Sequence, residues 1–220
     1  MLITERKSNN FVFLLSNLLV YGIKPTDERM IFGKQLNPNN TVAKGNILIA
    51  EPFLPDGNFE RTVVLLCEHS DEAGTFGLIL NKPTSLLVSE TTDLLEIEEK
   101  IYIGGPVEQN TLHFIHTFSE LKGCIPIKDG IYWGGDIEQL SHYGNLRQLN
   151  PSNCRFFVGY SGWAAQQLAR EIEQNSWIIY RQSISALFEW PTDRMWQIIL
   201  RSMGGKYRAY SNFPEDPRLN

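Results

Sequence analysis

A serine flanked by glycines, Gly159-Tyr160-Ser161-Gly162-Trp163, lies between an apolar run, Arg155–Tyr160, and a helix-like stretch, Trp163–Asn175. A serine on a sharp strand-to-helix turn is how a hydrolase lifts a nucleophilic hydroxyl above a sheet. Here the last glycine of that pattern is replaced by Trp163, and no histidine follows His142 to serve as its base. The stretch therefore reads as a glycine-rich turn, with a serine nucleophile and anion binding at the helix start as the alternatives. Gly104-Gly105-Pro106 and Gly134-Gly135-Asp136 lack the Lys-Ser/Thr pair of a phosphate loop and read as turns.

Cys67 and His69 stand two apart on an expected strand, which would put them on one face as a dyad or half a metal site. No spacing supplies a third and fourth ligand, so neither a metal nor a cofactor is expected, and packing is the simpler role. His113 and His116 are three apart and should face opposite ways. A more suggestive polar set is Arg61, Glu68, His69, Asn81 and Lys82. Glu68 and His69 border the turn of an expected hairpin, whereas Arg61 and Asn81 belong to its open end. The set therefore reads as turn caps and a salt bridge at two ends of a sheet, or as a cleft for an enzyme or a small-anion or nucleotide binder. No catalytic residue is assigned.

The elements that must position these residues follow from patterning. Asn46–Glu51, Thr62–Cys67, Phe76–Leu80, Ile101–Ile103, Leu112–His116, Ile131–Trp133, Arg155–Tyr160 and Trp177–Tyr180 are short runs rich in β-branched and aromatic residues and read as strands. Helices are expected over Ser89–Lys100, with an acidic face of Glu90, Asp93, Glu96 and Glu99, from an Asp136 N-cap toward Leu140 and Leu149, over Trp163–Asn175, and over Pro191–Met203 up to Gly204-Gly205. Strands cluster first and then alternate with helices, which is an α+β pattern.

The chain of 220 residues is 42 % hydrophobic and 20 % charged, within the range of globular proteins. Its net charge is −5. Residues 1–40 carry five Lys/Arg against three Asp/Glu, so the other 180 residues hold −7. An acidic body without a basic stripe opposes direct nucleic-acid binding. Cys67, Cys124 and Cys154 are scattered and odd in number, which suits reduced thiols in a cytoplasm. Phe11–Ile23 is apolar but too short to span a bilayer as a helix, so no membrane anchor is expected. Residues 1–40 read as an extension: a start assigned upstream of Met30, a docked helix, or a targeting segment. Residues 41–220 read as a single domain.

Several blocks resemble the YqgE/AlgH family in order: Gly45 to Leu54 (GNILIAEPFL), Phe59-Glu60-Arg61-Thr62-Val63, Glu68-His69, Gly77 to Pro83 (GLILNKP), Tyr102-Ile103-Gly104-Gly105-Pro106-Val107, and Phe157 to Trp163 with Gln167, Leu168, Glu171, Asn175 and Trp177. The ending Asn212-Phe213-Pro214-Glu215-Asp216-Pro217 resembles members from the Bacteroidetes branch. The resemblance implies an α+β fold with a strongly curved, bifurcated sheet that includes a small closed barrel, flanked by helices. It also implies that Ala often replaces Ser161 in relatives. Transcriptional regulation attaches to the family by name only. The expectation is a non-enzymatic regulatory or interaction protein with protein partners. Its motif positions are Glu51, Pro52, Arg61, Glu68, His69, Asn81, Gly104, Gly105, Tyr160, Gly162 and Trp163.

Overall fold

A computed structural model describes residues 41–92, 95 and 97–214. The expected N-terminal extension, Asp93 and Glu96 of the expected acidic helix, and the ending from residue 215 onward lie outside the described residues.

Ten strands are described: β1 (Ile47–Ala50), β2 (Val63–Ser70), β3 (Gly74–Ile79), β4 (Pro83–Leu87), β5 (Lys100–Ile103), β6 (Val107–His116), β7 (Ile125–Lys128), β8 (Ile131–Trp133), β9 (Cys154–Trp163) and β10 (Trp177–Tyr180). Four α-helices accompany them: α1 (Ile137–Asn145), α2 (Gln167–Glu173), α3 (Met195–Met203) and α4 (Gly205–Tyr210). The α+β class is as expected.

The strands follow the order β10-β1-β2-β3-β9-β6-β8-β7, and β5 joins β9 while also carrying β4. The expected closed barrel and strong curl are not found. The path is open, with β10 paired only to β1 and β7 only to β8 among the described residues. Two features of the ends account for this. Pro126 deprives β7 of a ladder donor. Lys128 Nζ instead donates to the Arg181 and Gln182 carbonyls just past β10, at 2.9 and 2.8 Å, so a side chain stands where a ladder would have to form.

β1 and most of β2 are apolar on both faces because both faces are covered. Ile47, Ile49, Val63 and Leu65 pack with α3 through Trp196, Ile199 and Leu200. Leu48, Val64 and Leu66 pack with α2 through Leu168 and Ile172. A further cluster gathers Ile101, Phe114, Cys154 and Phe156 under Leu140 of α1. That helix starts where the sequence indicates, with the Asp136 carboxylate accepting from Glu138 N and Gln139 N.

Three expectations fail locally. Of the expected Ser89–Lys100 helix, the described residues show a 3-10 turn at Val88–Glu90 and no α-helix, and Lys100 already belongs to β5. The strand ending at Tyr160 runs on to Trp163, so Ser161 sits inside β9 and not on a turn. The following helix starts only at Gln167.

Candidate functional site

The glycine blocks meet each other. β9 pairs with β5 along its first half and with β3 along its second, while β6 lies along its other edge. At this branch, Gly104 and Gly105 press against Gly159-Tyr160-Ser161. A Cβ on Gly104 would stand 2.2 Å from the Gly159 carbonyl oxygen, and one on Gly105 would stand 2.2 Å from that of Tyr160. Gly159 has φ +65°, and its own Cβ would be 2.7 Å from the Gly105 oxygen. These glycines are therefore required by backbone approach. Ser161 is fully buried, and its hydroxyl donates to the Gly104 carbonyl at 3.0 Å. It closes the same junction and is not presented to a substrate.

A second group forms around the loop between β1 and β2. Asn81 bridges the hairpin mouth: its Oδ1 accepts from Val63 N at 2.8 Å, and its Nδ2 donates to the Arg61 carbonyl at 2.9 Å. Lys82 Nζ donates to the Asn58 and Gly57 carbonyls, and burial lowers its pKa. The Arg61 guanidinium lies 4.8 Å over the Trp196 ring and donates to the carbonyls of Phe213 and Pro214. The Glu51 carboxylate accepts from Phe53 N at 2.8 Å across half-buried Pro52. Phe53, at the tip, is 59 % exposed, with its ring 5.3 Å from that of Phe213.

Glu68 and His69 are elsewhere, at the far end of β2, roughly 20 Å along the strand at ~3.3 Å per residue. His69 Nδ1 meets Thr75 Oγ1 at 2.7 Å, and its Nε2 lies 3.6 Å from Asp71. The cleft reading of Arg61, Asn81, Glu68 and His69 therefore does not assemble. Nor does a Cys67–His69 dyad. A register shift between Leu66 and Glu68 turns the strand at Cys67. Cys67 then joins the Leu65 cluster, while His69 pairs across to Thr75, next to Trp163 on β9. Burial raises the Cys67 thiol pKa well above its usual value. No group of three or more His, Cys, Asp or Glu able to hold a metal exists among the described residues.

Two polar features go beyond the sequence expectations, although Trp163, Gln167, Glu171 and Trp177 of the first stand together in one resembling block. Glu171 Oε2 accepts from both Trp163 Nε1 and Trp177 Nε1, each at 2.8 Å, and Gln167 Nε2 donates to its other oxygen at 2.9 Å. The second is Arg155 of β9, only 6 % exposed, which lines a cavity of about 310 Å³ with Tyr102, Cys154 and Leu87. Its signal in the sequence is a charge in phase with Phe157 at the head of an apolar run.

A family model described as AlgH-like matches residues 47–208. The chain belongs to the AlgH-like family. A UPF0301 protein of Cytophaga hutchinsonii is 48 % identical over 182 residues, covering 81 % of this chain and all of that one. Another, from Chlorobium limicola, is 43 % identical over 187 residues, 84 % of this chain and all of that one. A crystal structure of a Corynebacterium diphtheriae protein aligns with a TM-score of 0.64 at 25 % identity, over 80 % of this chain and 94 % of that one. The solution structure of Pseudomonas aeruginosa AlgH aligns at 0.59 and 23 % identity, over 83 % and 99 %, a likeness of fold. The AlgH-like family is bacterial and without an assigned biochemical role. In this AlgH-like chain no helix of the described residues is long and apolar enough to cross a membrane.

Proposed function

We propose that the protein is a non-enzymatic regulatory or interaction protein of the cytoplasm, acting through one domain over 41–220. It would contact a protein partner with the loop from Glu51 to Arg61 and the Phe213–Pro214 segment that Arg61 holds. The observation that carries this reading is the way that loop is built. Glu51, Asn81, Lys82 and Arg61 spend their polar groups on its backbone and on the Phe213–Pro214 segment, and the loop so fixed displays Phe53. A pre-ordered aromatic on a polar rim is the usual anchor of a protein interface, because little conformational freedom is lost on binding.

Tyr160, Gly162 and Trp163 and the Gly104-Gly105 block serve this surface indirectly, by fixing the sheet beneath it. The charge of −7 on residues 41–220 favours a protein over a nucleic acid as partner. The identity to the Cytophaga hutchinsonii relative supports a place in the Bacteroidetes branch. In affinity capture from the native lysate, Phe53→Arg should lose the partner held by the unaltered protein, at least tenfold for an anchor residue. Leu146→Arg, at another exposed apolar position, should retain it. Equal capture by all three proteins would refute this surface.

A further inference from the structure

Among the described residues, Arg155 is buried without a counter-ion. No carboxylate of a described residue stands within ion-pair distance. Its one hydrogen bond runs from Nη1 to the Leu80 carbonyl at 3.4 Å, the long limit of such a contact. Otherwise the guanidinium lies over two rings, 5.0 Å from Tyr102 and 5.8 Å from Phe188. A guanidinium carries five N–H donors, so most of them meet no protein acceptor among the described residues. No described side-chain nitrogen is both sealed from solvent and unbonded. The spare nitrogens are therefore not sealed from solvent, and Arg155 is one of the residues that line the cavity. Its volume of about 310 Å³ lies at the small end of the roughly 300–1,000 Å³ typical of metabolite sites.

A buried, uncompensated cation is costly to the fold, and an anionic ligand would remove that cost. We propose that this cavity binds a small carboxylate-bearing metabolite whose carboxylate is taken by Arg155. The planar guanidinium edge matches a carboxylate with two parallel N–H donors. The aromatic rings hold the guanidinium and keep it partly desolvated, which strengthens the pair. Glu98 and Glu99 also line the cavity. Lys100 lines it too, and these two carboxylates against Lys100 and Arg155 leave no excess positive charge, which favours a monoanion over a phosphate dianion. Burial raises the Glu99 pKa, in keeping with a partly dry rim.

The test uses the full chain, titrated with sodium acetate, sodium butyrate and sodium phosphate at constant ionic strength, by calorimetry and thermal melting. A carboxylate at about a hundredfold excess over its Kd should raise Tm by roughly 5 °C. Arg155→Met, an apolar replacement of similar length, should melt cooperatively, lose that response and bind at least tenfold more weakly. Should Arg155→Met fail to fold, Leu87→Trp narrows the cavity while leaving Arg155 in place and should weaken binding likewise. No carboxylate response in the unaltered protein, or equal binding by the variants, would overturn the site. Phosphate binding more tightly than either carboxylate would overturn the ligand class.

Discussion

The Ser161 hydroxyl and the Gly104 carbonyl are joined by a buried 3.0 Å hydrogen bond that ties β9 to the end of β5. The two sequence blocks that look most like catalytic or ligand-binding turns thus satisfy each other. The Gly104 carbonyl also accepts from Ile79 N at 2.9 Å, so β3 is held at the same point. Ser161→Ala should fold and lose about 1 kcal/mol, because the carbonyl keeps its other donor. Urea denaturation measures this; a loss of several kcal/mol would mean that the hydroxyl does more than close the junction.

The glycines beside that bond should be far less tolerant. Gly104→Ala drives a methyl to 2.2 Å from the Gly159 oxygen and 2.9 Å from Leu78 Cδ2. It should cost about 4 kcal/mol or more, or prevent folding. Gly57→Ala meets nothing within 4 Å and should stay within ~0.5 kcal/mol of the parent. Comparable melting temperatures for the two variants would refute the packing explanation.

Much of the fold can be read from the chain, and the failures have physical causes. β1, β2, β3 and the Asp136-capped helix announce themselves through continuous apolar runs and a capping residue. Gly159 and Gly162 look like turn punctuation, yet Gly159 lies inside β9, where the Gly105 carbonyl of the β5–β6 connection and the Val107 carbonyl at the start of β6 approach it. Pro83 and Pro126 look like stops, but they sit in β4 and β7, where no further strand needs their missing N–H. The candidate polar set divides because the β2–β3 hairpin separates its ends. The Arg155 cavity could not be foreseen. It depends on β5 pairing parallel to β9, which brings Tyr102 beside Arg155 across more than fifty residues of sequence.

Glu171 should be the most sensitive carboxylate of the core. One oxygen serves both indole N–H groups, Trp163 and Trp177, which are each 5 % exposed. Glu171→Ala leaves both donors without an acceptor and should cost about 3 kcal/mol; Glu171→Gln, which keeps one oxygen, should cost less. Unfolding followed by tryptophan fluorescence reports both, and equal stability of the two variants would contradict the shared-acceptor role.

Stability should fall in mild acid. His116 is fully buried; its Nε2 donates to the Gly134 carbonyl at 2.8 Å, while Nδ1 accepts from Phe118 N at 3.1 Å, which fixes the neutral ring. Burial lowers its pKa against the opposing pull of the Gly134 carbonyl. His113, among Phe76, Trp133 and Tyr160, is lowered by burial from 6.5 to about 4. The unfolded chain takes up protons near pH ~6.5 while the folded one does not. Stability is therefore full above that pH and declines as pH falls toward 4. Urea midpoints between pH 8 and 4.5 should show this decline, and His113→Phe should flatten part of it. A midpoint constant across the range would contradict the buried neutral state.

The Gly104-Gly105 and Gly159–Trp163 blocks build the sheet junction, whereas the partner surface we propose is the Glu51–Arg61 loop. The most direct measurement is quantitative capture of one partner by the unaltered protein, Ser161→Ala and Phe53→Arg, each confirmed as folded by thermal melting. Ser161→Ala should bind as the unaltered protein does and Phe53→Arg at least tenfold more weakly. Lost binding in folded Ser161→Ala, with Phe53→Arg unaffected, would place function at the junction and contradict the proposed surface.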